Sequence, residues 1–362
     1  MKQNTFRNFI FILSVLAAVS SCEDSQDLIL EQPAVSITSS DVLFEPRGGV
    51  GTIGFRSEEP VTAYSEQPWC TVSVDDNMVT VTASEYMELE NRYSSIILKA
   101  GEDSVRVVAQ QNGIVMTSDA EDEYLMSDDK GEISFSVTSN SDVVLKSSAS
   151  WIRCTIADGK VTASIRENDK GHPRNGWFVC SSGNVADTIK VSQCSAADLY
   201  GNFGLYGYDS SNRLVYLPVT IKAGETENSL VVTCTANMVS WRFNAEFIPD
   251  THRISIPNGQ YVGILSTSGY EFSVYMCMLS SRNNSFFWNT EFVSEALISY
   301  DDDIQKTRVD ILPASHETST GVIELDSYVF AAFQGRNGET GLPEGTVMAY
   351  PAILYKPYFQ TL

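Results

Sequence analysis

Apolar and polar residues alternate along much of the chain, which is the pattern of half-buried β-strands. Val72 and Val74 are separated from Val79 and Val81 by a polar cluster, and this spacing predicts a hairpin. A second hairpin is predicted over 95–109. No long segment carries the 3.6-residue period of an amphipathic helix. The pattern therefore predicts an all-β chain.

The same pattern returns after an offset of 82 positions with no insertion, as from Trp69 to Trp151. Other pairs at this offset are Gly49 and Gly131, Arg92 and Arg174, and Gln111 and Gln193. A fixed period indicates one fold that occurs twice. About six or seven short strands in each copy fit a two-sheet sandwich. We expect the two tryptophans to fill the core between the sheets.

The repeat ends near residue 198, and the rest of the chain is richer in aromatic residues. Strands are predicted there at 214–221, 229–234, 240–247, 253–256, 261–265, 272–279, 307–312, 321–325, 328–333 and 347–354. About eight to ten antiparallel strands must close into a barrel or stack as a sandwich to hide their edges. We predict a larger antiparallel β-barrel or β-sandwich domain over 198–362, with both alternatives open.

The first 21 residues have the features of a secretory signal. Two basic residues precede an apolar run over 9–19, which is too short to span a bilayer. The run leads to VSSC, which looks like a bacterial lipobox, and the acidic pair after Cys22 resembles the signal that sends Bacteroidetes-type lipoproteins to the outer leaflet. We predict a lipoprotein signal peptide over 1–21, lipid attachment at Cys22, a tether over 22–33, and an outer-membrane location facing the cell exterior.

Acidic residues outnumber basic ones, with 46 Asp and Glu against 24 Lys and Arg and a net charge of −22. Nucleic-acid binding depends on Lys and Arg that meet phosphates, so this composition argues against a nucleic-acid partner. It also disfavours docking on anionic membrane surfaces. The predicted membrane partner is the lipid on Cys22, which anchors the chain without spanning the bilayer.

The remaining cysteines could form disulfides, because an even number in an exported protein permits them. They occupy non-equivalent positions in the two copies, so no bridge is repeated. We expect them to be unpaired, although the sequence alone leaves their state open. They are Cys70, Cys154, Cys180, Cys194, Cys234 and Cys277.

Four features of the first copy occur together: Gly48-Gly49, Pro68-Trp69, Asn91-Arg92 and the sequence QQNG over 110–113. Together they resemble the BACON domain, a small immunoglobulin-like sandwich found in tandem in Bacteroidetes lipoproteins and glycoside hydrolases. The resemblance is good over about 34–113 and weaker over about 115–195, where Ser150 replaces the proline.

The resemblance implies two tandem immunoglobulin-like β-sandwiches, a first module over 34–114 and a second module over 115–197. It also implies a link to polysaccharide or mucin systems, and it implies no catalytic residue. The sequence GNFGLYGYD at the start of the C-terminal domain looks faintly like lipocalin-type barrels.

The sequence carries no recognisable catalytic or metal-binding motif. His172, His252 and His316 lie in separate segments without a second ligand at metal-binding spacing, and we expect each at an exposed turn or strand edge. The acidic run 301–303 lacks the glycine-spaced loop of a calcium site. We therefore predict no metal, no cofactor and no catalytic residue.

Aromatic residues are the better candidates for a binding site, because sugar rings pack their C–H faces on aromatic side chains. Three successive aromatics in one strand cannot all face one core, so the segment Phe286, Phe287 and Trp288, with Asn289, is a candidate ligand-binding surface. A strand buried on both faces is the alternative. Trp177 is a second candidate, because the module fold has Ser95 at the equivalent position.

Two functional hypotheses follow from this pattern. The first is a non-catalytic surface lipoprotein whose two sandwiches act as spacers and present a C-terminal domain that binds polysaccharide, mucin glycan or another surface ligand. The second is a carbohydrate-active enzyme with its active site in the C-terminal domain, which would need two carboxylates facing one cleft. We favour the first.

Overall fold

The computed structural model describes residues 34–236, 239–267, 269–282, 285–288, 290–318, 321–334 and 347–362. Within them the chain is all-β apart from a short 3-10 helix, Ala196–Leu199, which confirms the predicted class. No helix in this described part is long and apolar enough to cross a membrane. The predicted signal peptide, Cys22 and the tether lie outside it.

The described chain falls into two compact units. The first comprises the described residues up to Val42 with Val50–Thr82 and Ser94–Ala109, and the second comprises Leu43–Gly49, Ala83–Tyr93 and Gln110–Leu362.

The first module is built from two four-stranded sheets. Its strands are β1 (Val35–Asp41), β2 (Leu43–Phe44), β3 (Gly49–Ser57), β4 (Val61–Ser65), β5 (Cys70–Asp75), β6 (Met78–Ala83), β7 (Arg92–Ala100) and β8 (Asp103–Gln111). One sheet has the order β1-β3-β6-β5 and the other β2-β8-β7-β4. Both predicted hairpins, β5–β6 and β7–β8, are present.

The second module repeats this topology strand for strand. Its strands are β9 (Met116–Ser118), β10 (Glu123–Met126), β11 (Gly131–Ser139), β12 (Val144–Ser147), β13 (Ile152–Ala157), β14 (Lys160–Ile165), β15 (Arg174–Ser182) and β16 (Val185–Gln193). The sheet orders are β13-β14-β11-β9 and β10-β16-β15-β12. Strands β11 and β13 to β16 begin and end 82 positions after β3 and β5 to β8, so the offset in the sequence is an offset in structure.

A buried glutamine explains why arginine and glutamine keep their spacing in both copies. Gln193 accepts from Arg174 Nε at 2.9 Å and donates to two backbone carbonyl oxygens before β11, at 3.0 and 3.1 Å. Gln111 likewise accepts from Arg92 Nε at 2.9 Å and donates to two carbonyl oxygens before β3, at 3.0 and 3.2 Å. The last strand of each module is thereby joined to the segment that precedes β3 or β11.

The two repeated tryptophans are not core residues, so that prediction is wrong. Trp69 and Trp151 are only partly buried. The Trp151 ring packs on the rim of the second module's core, and the Arg174 guanidinium lies over it at 4.3 Å from the ring centroid. The core itself is filled by smaller side chains around Phe135 and Phe178. A guanidinium over an indole face is a cation–π contact, which occurs at exposed as well as buried sites.

The C-terminal domain contains the remaining described strands. They are β17 (Gly201–Tyr208), β18 (Leu214–Ala223), β19 (Ser229–Ala236), β20 (Val239–Ile248), β21 (Arg253–Pro257), β22 (Gln260–Thr267), β23 (Tyr270–Ser280), β24 (Ser285–Phe287), β25 (Val293–Asp301), β26 (Lys306–Ile311), β27 (Ala314–Thr318), β28 (Gly321–Leu325), β29 (Ser327–Gln334) and β30 (Val347–Thr361). The predicted strands did not include β17, β25 and β27, whereas β24 overlaps the aromatic segment that was predicted as a strand.

Eight of these described strands close into a barrel, which resolves the alternative left open by the sequence. The order is β17-β18-β19-β20-β21-β25-β26-β30, and β30 pairs back to β17. Strands β29, β23 and β22 extend the sheet from β30, with β24 on β23. Closure removes the exposed edges of the ring.

The barrel interior is packed with side chains. Trp241 is fully buried there, and Phe203, Phe247 and Phe330 surround the same main core. A cavity lined by Leu205 and other apolar residues measures only about 10 Å³. That is about the room of one water molecule. A smaller cluster around Phe333 forms a second core beside β23 and β29.

Candidate functional site

The predicted aromatic segment on β24 packs against two different cores. Phe287 contacts the main core, whereas Phe286 and Trp288 contact the smaller cluster. The ring centroids of Phe286 and Trp288 lie 5.1 Å apart, and those of Trp288 and Phe333 lie 4.2 Å apart. The neighbouring asparagines lie outside the described residues: Asn283, Asn284 and Asn289.

Three consecutive aromatic residues can all pack here because the strand has a core on each side. Alternate strand residues face opposite sides of a sheet, so the middle ring enters one core and the two flanking rings enter the other. Each of the three residues is half-buried. Asn258, which is buried, also holds this segment by donating to the Phe287 carbonyl oxygen at 2.8 Å. These are the contacts of a strand packed on both faces. A binding role for the segment stays a prediction.

Trp177, the other candidate, lies on the wall of a cleft of about 700 Å³. It pairs with Lys190 across β15 and β16, and 46% of its surface is exposed. Its backbone N–H donates to Ser148 Oγ at 2.8 Å, and its carbonyl oxygen accepts from the Ser148 N–H at 2.8 Å. The first module folds with Ser95 at this position, so the exposed indole is an addition to the fold.

The facing wall of the cleft belongs to the C-terminal domain. It consists of Thr251, His252, Arg253, Leu297 and Ile298, from the turn between β20 and β21 and from β25. His252 has a left-handed backbone with φ of 48°, and its Nδ1 lies 3.3 Å from Ser192 Oγ on β16. Burial lowers the pKa of His252, so its ring is neutral at neutral pH.

Two further contacts hold these walls in place. The rings of His172 and Tyr300 stack with centroids 3.8 Å apart and planes 5° apart. The connection from the second module, through Cys194, Ala196 and Leu199, is buried in the main core of the C-terminal domain. A cleft whose walls are fixed in this way is formed before a ligand arrives, which lowers the entropic cost of binding.

The cleft is lined by several polar groups that can form hydrogen bonds. Asn175, Lys190 and Arg253 supply amide, ammonium and guanidinium groups, and Arg253 is ion-paired with Glu295. Among the described residues that line the cleft, Glu123 is the single carboxylate, whereas glycoside hydrolysis needs two. Across the described chain, no cluster of three His, Cys, Asp or Glu residues could hold a metal ion.

The expectation that all three histidines are exposed is wrong. His252 is buried, and His172 and His316 are half-buried. His316 stacks on Phe292 with centroids 3.8 Å apart. The imidazole ring is flat and therefore packs on aromatic neighbours, which the spacing of histidines along the sequence does not reveal.

The six cysteines of the described chain are free, as expected. Burial raises the pKa of Cys277 and of Cys234 to about 12, so both thiols stay protonated at neutral pH. Burial, followed by Cys180, raises the pKa of Cys154 to about 11. These thiols pack as small apolar groups and offer no nucleophile.

Comparison with known proteins gives one family match. Residues 59–112 match the BACON family, which is described as "Putative binding domain, N-terminal". The match falls within the first module and confirms the resemblance seen there. No curated protein matches the chain significantly.

Solved structures that align with the chain do so at low scores. A titin tandem fragment covers 89% of this chain and 98% of its own length at 8% identity, with a TM-score of 0.34. A chimeric titin fragment covers 44% and 96% at 10% identity, with a TM-score of 0.27. An endo-fucoidan hydrolase of glycoside hydrolase family 107 covers 60% and 40% at 9% identity, with a TM-score of 0.21. Scores this low carry no argument about function.

Proposed function

We propose that this chain, of which residues 59–112 match a binding-domain family, is a lipid-anchored surface protein that binds glycan in the cleft at Trp177 without transforming it. The observation that carries the proposal is the exposed indole on the wall of a preformed cleft of about 700 Å³. Ligand sites typically enclose about 300–1,000 Å³ and combine an apolar surface with a few polar groups.

The lining of the cleft fits a sugar better than a purely apolar ligand. The indole face of Trp177 offers a surface for the C–H face of a sugar ring. Asn175, Lys190, Ser192 and Glu123 supply donors and acceptors for hydroxyl groups around it. A purely apolar ligand would leave these polar groups without partners, which costs free energy.

A binding protein is favoured over an enzyme because the cleft has one lining carboxylate among its described residues. The first module then acts as a spacer, and the second module contributes one wall of the site. This differs from a site contained wholly in the C-terminal domain. Polysaccharide and mucin glycan are the proposed ligand sources, since BACON-like modules are linked with both.

The location is proposed from the leader sequence. Lipid attached to Cys22 would hold the protein at the outer membrane, and the acidic tether would place it outside the cell. A Cys22→Ala variant should lose both the acyl mass in mass spectrometry and membrane fractionation. Unchanged fractionation would contradict the anchor and leave the binding proposal standing.

The binding proposal is tested by screening the purified full chain on an array of polysaccharide fragments and mucin O-glycans. Trp177→Ser is the informative variant, because the equivalent position of the first module already holds serine. Truncation of a tryptophan that anchors a site costs about 2 kcal/mol or more, which is roughly a thirtyfold loss of affinity.

Tyr64→Ser is the matched control, since Tyr64 is 48% exposed on β4 of the first module. It should bind like the parent protein. Equal binding by the parent and Trp177→Ser would refute the assignment of the site, and binding to no glycan on the array would refute the function.

A further inference from the structure

A row of side chains crosses four neighbouring strands on the outer wall of the barrel. Tyr216, Tyr206 and Tyr358 lie on β18, β17 and β30, and Arg308 lies on β26. The ring centroids are 5.2 Å apart at both tyrosine pairs, and the Arg308 guanidinium lies 3.7 Å from the Tyr358 centroid. Strands lie about 4.8 Å apart, so the row extends about 15 Å.

The row faces outwards because the residues next to it in sequence face the core. Leu205, Leu217 and Phe359 are buried in the main core. Tyr216, on the opposite face, is 45% exposed. Successive strand residues alternate between faces, so the whole row lies on the outer surface.

Gly204 gives the rings room to lean over the strand. A Cβ at Gly204 would lie 2.4 Å from Tyr206 Cε2 and 2.7 Å from Tyr216 Cε2, so both rings would have to move to admit a side chain there. A glycine within a strand marks a close approach of this kind.

Two polar hollows border the row. One, of about 360 Å³, is lined by Lys306, Arg308 and Gln360 among others, and the second, of about 460 Å³, by Arg308, Tyr358 and Lys356 among others. Lys356 has a left-handed backbone with φ of 48° and is followed by Pro357. The β17–β30 register shifts between Tyr206 and Tyr208, which marks an irregularity in the ladder at this point.

A left-handed backbone is unfavourable for lysine, because the Cβ atom crowds the backbone in this conformation. Such strain and such irregularities in a ladder are concentrated at functional sites, where they redirect a side chain. At this wall the residue with the left-handed backbone is Lys356, and its side chain lines the hollow of about 460 Å³ beside the aromatic row.

The charged side chains that line the hollow of about 460 Å³ have a net charge of zero. Arg308 donates to Asp310 at 2.6 to 2.9 Å, and Asp326 accepts from the Ser281 N–H at 2.9 Å. With Lys356, the lining contains two cationic and two acidic side chains. The chain as a whole carries a net charge of −22, which repels polyanions. A ligand with apolar faces, many hydroxyls and no charge fits this wall.

We propose that the outer barrel wall at Tyr216, Tyr206, Tyr358 and Lys356 is a second binding site, which takes a neutral glycan chain several sugar rings long. The tyrosine row stacks against the rings, and Lys356 and the Arg308–Asp310 pair bond their hydroxyls. This inference rests on the proposed glycan-binding function and extends it from one cleft to an extended surface.

The test measures affinities of the full chain for neutral and acidic oligosaccharides on the same array, followed by calorimetry with the best neutral binder. Tyr216→Ala and Lys356→Gly should each weaken neutral binding about fivefold or more. Glycine suits the left-handed backbone at 356, so this variant removes the ammonium without unfolding the chain. Affinity should be unchanged between about 50 and about 500 mM salt, because no charged ligand is screened.

Matched controls exist in the first module. Tyr64→Ala removes a tyrosine that is 48% exposed, and Asp76→Gly replaces another left-handed residue, with φ of 48°. Both should bind like the parent protein.

The outcomes separate the two proposals. Neutral binding that is lost in Trp177→Ser but unchanged in Tyr216→Ala and Lys356→Gly would overturn the second site and keep the first. The reverse pattern would support the second site and overturn the cleft. Binding to acidic glycans alone would overturn the neutral site, and binding to none would overturn both.

Discussion

Replacing Gln193 by methionine removes the centre of the network that joins the last strand of the second module to the segment before β11. The Gln193 side chain is fully buried and holds four hydrogen bonds. It accepts from Arg174 Nε and Nη2 at 2.9 and 2.6 Å and donates to the carbonyl oxygens of Ser127 and Asp129 at 3.0 and 3.1 Å. Methionine has a similar length and can make none of these bonds.

The cost follows from the hydrogen bonds that are lost. A typical hydrogen bond contributes about 0.5–1.5 kcal/mol to stability, and one to a charged group about 1.5–3 kcal/mol. The variant loses the bonds to two carbonyl oxygens and those from the charged Arg174 guanidinium, which keeps its bond to the Arg166 carbonyl oxygen at 2.6 Å. We therefore expect a loss of about 3 kcal/mol, a large part of the stability of one small module.

Hydrogen exchange measured by mass spectrometry resolves this loss within the full chain. Peptides from β15 and β16 should lose about 3 kcal/mol of protection, and peptides from β7 and β8 should be unchanged. Gln111→Met is the mirror variant and should reverse the pattern. A loss below about 1 kcal/mol, or an equal loss in both modules, would refute the assigned role of the glutamine.

Two further predictions concern stability. Burial and then the neighbouring Asp128 raise the pKa of Asp198 to about 7, so the folded chain keeps a proton that the unfolded chain releases near about pH 4. The free energy of unfolding should therefore fall by about 2–4 kcal/mol as pH rises from about 4 to 7. The Asp198→Asn variant should not show this fall when thermal melts at about pH 5 and 8 are compared. A variant whose pH profile equals that of the parent protein would contradict the raised pKa. Trp151→Ala should cost about 1–2 kcal/mol because the ring is half exposed, whereas Trp241→Ala, at a fully buried site, should cost about 3–5 kcal/mol in urea melts. Equal costs would contradict this ranking.

The duplicated modules could be predicted from the sequence because their key contacts recur at a fixed spacing. The arginine–glutamine bond is the same in both copies, and so is the left-handed turn residue, Asp76 with φ of 48° and Asp158 with φ of 49°. A contact that both modules make requires the same residue type at the equivalent position of each, and the sequence shows this as a repeat. The tryptophans also recur, yet their recurrence did not reveal that they sit at the rim of the core.

The barrel could be predicted only in part, and β25 shows why. Its inward residues are Ser294 and Ala296, and its outward residues include Val293 and Leu297, which are 37% and 42% exposed. In a typical barrel strand the apolar side chains face the core and the polar ones face the solvent. In β25 small or polar side chains face the core, and apolar ones face the solvent. Ser294 is satisfied in the core because the Tyr328 hydroxyl donates to it at 2.6 Å.

The site could be predicted on one wall and not on the other. Trp177 was identifiable because the equivalent position of the first module holds serine. The facing residues His252 and Leu297 are distant in sequence, and only the fold brings them opposite Trp177. No local sequence pattern contains that information.

The most direct test of the central claim is a crystal structure of the full chain with the glycan that binds best on the array. We predict a sugar ring stacked on the Trp177 indole, with hydroxyl groups hydrogen-bonded to Asn175 or Lys190. A bound glycan that makes no contact with this cleft would contradict the account.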